Sequence, residues 1–315
     1  MDRIKVGVSS CLLGEEVRHD GNHQLDRYIT ETLGEFFEWV PVCPEVEYGL
    51  GVPREALRLV GDPSRPKLVG RRSGTDHTEG MKRWADGRLK GLEGEGLSGF
   101  IFKARSPSSG PERIKIYGED GSLRGWGRGV FAGAFMDRFP LVPVIDDGRL
   151  HDPALRENFI ERVFVYRRWR DFLASRPGEA ELVEFHTDHK LLVMSHSPEL
   201  YRELGRMVAG QAGATREELP GSYIEKLTEA MRTLTTPGRN ANVLNHAAGY
   251  FRKRLTPDER QELAEVIDGY RRGLVPLVVP VILIKHYTRK YDEPYLKRQY
   301  YLNPHPMELK LRNHA

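Results

Sequence analysis

Two cysteines and one carboxylate carry the first chemical signal in this sequence. Cys11 ends the apolar stretch Ile4-Lys5-Val6-Gly7-Val8-Ser9-Ser10, Cys43 ends the stretch 36–42, and the 315-residue chain has no other cysteine. Glu45 follows Cys43 by two residues, across Pro44. Thiolates are soft ligands for iron or zinc and, when deprotonated, nucleophiles. A carboxylate beside a thiol is a candidate general base. Two thiols alone fall short of a closed zinc or iron–sulfur site, and no Cys-x-x-Cys spacing supports a dithiol redox pair. Buried cysteines also serve as small apolar residues. From the residues alone, structural thiol, metal ligand and nucleophile all stay open.

Other residues offer weaker signals. Ser106, Ser108 and Ser109 lie in a polar loop after an apolar segment, where an ordinary turn explains them as well as a site does. No Gly-x-Ser-x-Gly elbow is present, and Gly127-x-Gly129 lacks the third glycine of a dinucleotide fingerprint. His186, His189 and His196 share a helical spacing without an accompanying carboxylate set, so they read as core or surface histidines rather than ligands.

The elements that must position these residues follow from periodicity. Residues 4–8 and 39–42 read as buried strands, and Leu25, Tyr28, Ile29, Leu33, Phe36 and Phe37 mark an amphipathic helix between them. A strand–helix–strand unit implies parallel strands with a right-handed crossover. Ligands in such sheets bind beyond the carboxyl ends of the strands, where both cysteines stand. Residues 57–60 and 67–69 read as a hairpin, 78–90 as a helix, 99–103, 114–117 and 141–144 as further strands. From residue 158 the spacing is helical almost throughout, with Thr256-Pro257-Asp258-Glu259 a clear helix start. The expected architecture is an α/β Rossmann-like N-terminal domain with a parallel sheet (1–150) and a mostly α-helical C-terminal domain (151–315).

Composition bounds the function classes. Charged residues make up 30% and the net charge is +3, as in water-soluble globular proteins. The longest apolar run, 274–284, is broken by Pro276 and Pro280, too short for a membrane span. The N-terminus has no signal-peptide pattern, so a cytoplasmic location is expected. Residues 156–315 hold 26 Lys and Arg against 21 Asp and Glu, leaving the first half at −2. The basic half points mildly to an anionic partner.

Four separated motifs give a more specific reading: Val8-Ser9-Ser10-Cys11-Leu12-Leu13-Gly14, Val17-Arg18-His19-Asp20-Gly21, Pro41-Val42-Cys43-Pro44-Glu45 and Lys103-Ala104-Arg105-Ser106-Pro107-Ser108-Ser109-Gly110. In order and spacing they resemble the TudS-like thiouracil desulfidase family. The helical part resembles the YbgA-like domain, and the fusion resembles the RudS-like desulfidases of 4-thiouridine in tRNA. The resemblance implies an iron–sulfur-dependent, non-redox desulfidase with a 4Fe–4S cluster on three cysteines and one open iron. Cys11 and Cys43 match the first two ligands, and Ser109 stands at the third. A hydroxyl is a hard, poor substitute for thiolate, so the resemblance implies a weakened or inactive Cys-to-Ser variant, introduced or natural, with a labile or absent cluster. It further implies Glu45 as acid/base, Ser106 as an orienting or proton-passing group, and Ser10, Asp20 and Ser108 as pocket residues.

With tRNA as partner, Arg239, Arg252, Lys253, Arg254, Lys285, Arg289, Lys290, Lys297 and Arg298, with His286, are candidate phosphate contacts. Tyr287, Tyr291, Tyr295, Tyr300 and Tyr301 are candidate stacking groups, or simply pack on the core. The alternatives are a desulfidase of free thiouracil-type bases with a structural C-terminal domain, and a non-catalytic RNA-binding protein.

Overall fold

The computed structural model describes residues 3–211 and 218–313. It divides into two units, residues 1–152 and 153–315.

The strands of the first unit are β1 (Ile4–Ser9), β2 (Phe37–Val42), β3 (Leu57–Val60), β4 (Lys67–Gly70), β5 (Phe100–Phe102), β6 (Ile114–Tyr117), β7 (Leu123–Gly127) and β8 (Val144–Asp146). Its helices are α1 (Pro44–Glu47), α2 (Thr78–Glu93), α3 (Val130–Arg138) and α4 (Asp147–Leu150). One sheet has the order β2-β1-β5-β8, and all of its pairings are parallel. The central strands β1 and β5 are buried along nearly their whole length, as a sheet covered on both faces requires. Gly7 of β1 pairs with Phe100, and a Cβ at this glycine would come within 2.2 Å of the Phe100 ring. That ring stacks on Phe102 and meets Phe135 of α3 edge-on, so the aromatic core between sheet and helix depends on the missing side chain.

Two local expectations are revised. The segment between β1 and β2 is not a continuous α-helix but a π-turn, Tyr28–Thr32, followed by a 3-10 turn, Leu33–Glu35. Its apolar spacing still buries Ile29 and Leu33, but three β-branched residues and Gly34 give it poor helix propensity. The hairpin β3–β4 also belongs to a second sheet, β4-β3-β6-β7, which the sequence reading did not anticipate. Leu59, Leu68, Ile114 and Ile116 form its core with Met81 of α2.

The second unit is built from α5 (Pro153–Ala174), α6 (Glu179–His196), α7 (Pro198–Val208), α8 (Leu219–Arg232), α9 (Pro237–Gly249), α10 (Pro257–Arg271), α11 (Val278–Lys290) and α12 (Pro294–Arg298). Ser197, Thr236 and Thr256 cap α7, α9 and α10 through their hydroxyls, each with proline in the first turn, which satisfies donors the helix cannot. Among the described residues no helix is long and apolar enough to cross a membrane.

A buried ionic network ties this unit together. Arg312 donates to Glu161 at 2.8 Å and to the Tyr301 carbonyl at 2.6 Å, and its Nε lies 3.4 Å from Glu157. His196 Nε2 stands 3.2 Å from Glu161, and its Nδ1 donates to the Thr233 carbonyl. Burial, then repulsion from Glu161, pushes the Glu157 carboxyl up to about 8. Burial would raise Glu161 as well, but the His196 bond and Arg312 hold it at about 2.

A carboxyl raised above its ordinary value near 4.5 holds its proton more tightly folded than unfolded. Its contribution is therefore complete below that value and is lost as pH rises through about 8. Glu157→Gln removes that titration. Denaturation at pH 6 and pH 9 is expected to show the variant gaining stability relative to the wild type as pH rises; a constant difference would contradict a raised Glu157.

Candidate active site

The carboxyl edge of the parallel sheet opens into a cavity of about 460 Å³, within the usual range for small-molecule sites. Three segments build it. After β1 the chain turns through a 3-10 helix, Ser10–Leu13, that buries Ser10 and Cys11, and Gly14 leaves that turn at φ +94°, a conformation that favours glycine. After β2, Cys43 is the N-cap of α1, with Pro44 as the first helical residue and Glu45 in the first turn. Glu47 reaches back to accept from the Cys43 backbone N–H at 3.0 Å. After β5 comes the serine loop, pressed against Gly129, where a Cβ would come within 2.6 Å of the Ser108 backbone.

Glu45 is the centre of the polar contacts. Its Oε1 accepts from the Ser108 hydroxyl at 2.5 Å, with Ser106 Oγ at 3.4 Å. The two hydroxyls are 2.9 Å apart. On the other oxygen, Cys43 Sγ approaches to 3.7 Å and Arg54 Nη2 to 3.9 Å. Arg54 is itself fixed: it donates to the Val17 carbonyl and to the Gly51 carbonyl, each at 2.9 Å, and its backbone N–H donates to His19. The carboxylate is thus hydrogen-bonded by Ser108 at one oxygen and flanked by Cys43 and Arg54 at the other, and Glu45, Cys43 and Arg54 all line the cavity.

Both thiols are buried. Burial pushes Cys11 up to about 11, opposed by the nearby Lys103, and burial with the Glu45 charge pushes Cys43 up to about 12. Lys103 is anchored by Asp147 at 2.6 Å, while Asp147 also accepts from the Ala104 N–H. As free groups, thiols in such surroundings are protonated at neutral pH.

Cys11, Cys43, Glu45, Ser10, Ser106 and Ser109 all line this one cavity. Ser108 does not line it. It lies fully buried behind Glu45. Asp20 is exposed in its turn, where its Oδ1 accepts from the Asn22 N–H and lies 3.6 Å from Arg18. The sequence reading did not single out Arg18, Arg54 and Lys103 as lining residues. Lys103 was legible as the last residue of the strand expected over 99–103, one residue past the observed end of β5.

The basic residues of the second unit are largely engaged. Lys290 pairs with Glu259 at 2.7 Å, Arg298 with Asp188 at 2.8 Å, Lys297 with Asp292, and Arg254 lies 3.8 Å from Glu293. Lys285 donates to Asn303 and Arg239 to the His196 carbonyl. Arg252, Lys253 and Arg289 enter no ion pair among the described residues. Tyr287 and Tyr301 are core residues. Tyr250 and Tyr295 stack at 4.9 Å, and Tyr300 lies under Arg168 at 3.8 Å. His186, His189 and His196 are buried and bond to three different partners, Tyr223, the Phe185 carbonyl and Glu161. Burial pushes His186 down to about 4 and His189 to about 3.

Comparison with known proteins accounts for both units. Residues 6–147 match the 2-thiouracil desulfurase family and residues 190–306 a family described as a protein of unknown function, DUF1722. The chain is 35% identical over 133 residues to the uncharacterized protein YbgA of Escherichia coli, covering 42% of this chain and 79% of YbgA. It is 34% identical over 108 residues to the uncharacterized protein YbbK of Bacillus subtilis, covering 33% of this chain and 71% of YbbK. The chain belongs to the 2-thiouracil desulfurase family through its first unit and to the YbgA-like family through its second. Among solved structures it is similar to TudS, a 4Fe-4S-dependent thiouracil desulfidase, at 29% identity and a TM-score of 0.38, over 47% of this chain and 93% of that one.

The Ser108–Glu45 bond can be measured apart from activity. Ser108→Ala and Glu45→Gln, singly and together, should give a coupling of about 1–3 kcal/mol by urea denaturation, as for a hydrogen bond to a charged group. Additive losses would mean that the two side chains do not depend on each other.

Proposed function

We propose that this chain is built as a desulfidase of thiolated pyrimidines, exchanging a thiocarbonyl sulfur for the oxygen of water. The observation that carries the reading is Glu45, hydrogen-bonded by Ser108 and flanked by Arg54 beside a thiol-lined cavity, in a chain of the 2-thiouracil desulfurase family. Glu45 takes a proton from water as its oxygen attacks the thiocarbonyl carbon. The carbon–sulfur bond then breaks, sulfur leaves as hydrosulfide, and the ring keeps the oxygen. Electrons balance without an oxidant or reductant. Ser106, 2.9 Å from Ser108 Oγ, belongs to the chain of hydroxyls through which a proton can return.

A 4Fe–4S cluster belongs to the resemblance, with Cys11, Cys43 and the position of Ser109 as its three anchors. The donor set here does not fit it. Ser109 is buried on the cavity wall, its N–H donating to Ser106 at 3.1 Å, and it offers an oxygen where a soft thiolate is required. With one thiolate missing, the chain as it stands is a weakened or inactive form.

The finer reading is that the substrate is 4-thiouridine in tRNA, with the YbgA-like unit supplying phosphate contacts through Arg252, Lys253 and Arg289. The competing reading, a free thiouracil-type base, is favoured by the pairing of most other candidate cations with neighbouring carboxylates.

Anaerobic iron–sulfide reconstitution of Ser109→Cys is expected to give the visible absorbance of a 4Fe–4S cluster and hydrosulfide release from thiolated tRNA, whereas the unchanged chain should give neither. A cluster-loaded variant that releases no hydrosulfide from 4-thiouracil or from thiolated tRNA would overturn the desulfidase reading. Turnover of the free base alone would remove the tRNA assignment.

A further inference from the structure

The second sheet carries a face that the catalytic reading does not use. Along β6, Ile114 and Ile116 turn into the core, so Lys115 and Tyr117 lie on the opposite face. The ladder extends that face over all four strands. Lys115 is paired with Trp126 of β7, Tyr117 with Leu123, and Val60 of β3 with both Tyr117 and Lys67 of β4. Trp126 is 52% exposed and Leu123 50% exposed. Trp126 has no ring partner among the described residues, and no ion pair reaches Lys115.

The segments that build this sheet, with their turns, are basic. Residues 57–76 and 113–128 hold nine Lys and Arg against four Asp and Glu. This surplus of five stands in a half of the chain whose net charge is −2. Two of the cations are paired within the sheet region, Lys67 with Asp76 at 3.8 Å and Arg124 with Asp120 at 3.1 Å. Arg128 pairs with Asp137 of α3 at 3.0 Å. Arg65, Arg71, Arg113 and Lys115 enter no ion pair among the described residues.

We propose that this outer sheet face binds single-stranded RNA, with a base stacked on Trp126 and phosphates met by Lys115 and the neighbouring cations. Flat sheet faces with an exposed aromatic ring and flanking cations suit unpaired strands, because every base has a face to stack and every linkage a charge to neutralise. A second copy of this chain fits less well, since it would set one basic face against another. The inference rests on the RNA reading of the substrate for the identity of its partner, and not on the desulfidation chemistry.

The test uses the full chain and a fluorescein-labelled, unstructured RNA of about twelve nucleotides, within the reach of one such surface. Trp126→Ala is expected to weaken binding about 5- to 100-fold, as loss of one stacked base does. It should also abolish the quenching of tryptophan emission by RNA. Lys115→Glu should weaken binding and flatten its salt dependence. Circular dichroism checks the fold of each variant. Unchanged affinity in both variants, or binding lost only in Lys253→Glu, would overturn the proposal, as would a change in sedimentation without a change in RNA affinity. If the wild-type chain binds thiolated tRNA but not the unstructured strand, this inference fails alone; if it binds neither, the tRNA reading fails with it. Release of hydrosulfide from 4-thiouracil by the reconstituted Ser109→Cys chain would leave the desulfidase reading standing.

Discussion

The 2.5 Å bond from Ser108 to Glu45 is the interaction on which the catalytic unit turns. It joins two loops that leave different strands of the parallel sheet, sixty-three residues apart in sequence. A carboxylate at the first turn of a short helix is free to swing unless something outside the helix holds it. Ser108 holds one oxygen, and Arg54, bound in turn to the Val17 and Gly51 carbonyls, stands by the other. Ser108 is fully buried, where a charge-assisted hydrogen bond is stronger than in water. Preorganisation of this kind lets a base act without first being reoriented.

The sheet that presents these loops is constrained from below. Gly7 and Phe100 show how tightly: the aromatic stack that seats α3 on β1 and β5 occupies the volume a side chain at Gly7 would need. The carboxyl edge is therefore rigid under the cavity, while the segments above it are short turns. That division, a packed scaffold with chemistry on its loops, is how α/β sheets generally place a site at the strand ends.

Strands β1 and β2, both cysteines and Glu45 were legible in the sequence because a buried parallel strand leaves an apolar run and its end leaves a break. The helical unit was legible for a related reason: Thr256, followed by proline and two acids, marks a helix start by a rule that needs no tertiary information. Arg54 and Ser108 were harder. Their placement depends on a contact between distant loops, and nothing local separates a serine that lines a cavity from one that braces a carboxylate behind it. The segment before β2 misled because burial of Ile29 and Leu33 satisfies a helical spacing that its backbone does not follow. The second sheet was missed because the parallel partners β3 and β6 are separated by more than fifty residues that include α2 and β5.

Ser109 separates what a fold preserves from what a reaction needs. Its N–H bonds to Ser106, its side chain is buried on the cavity wall, and Gly110 and Gly129 still pack the loop around it. A serine and a cysteine are close in size, so folding is nearly indifferent to the exchange. Metal chemistry is not, because oxygen for sulfur changes both the softness of the ligand and the ease with which it loses its proton. The packing and hydrogen bonding of the loop are therefore complete with serine in place, whichever donor its chemistry calls for. Cys11 and Cys43 share that cavity wall with Ser109, and burial, which holds both thiols above their ordinary range, keeps them neutral there at no cost to the fold.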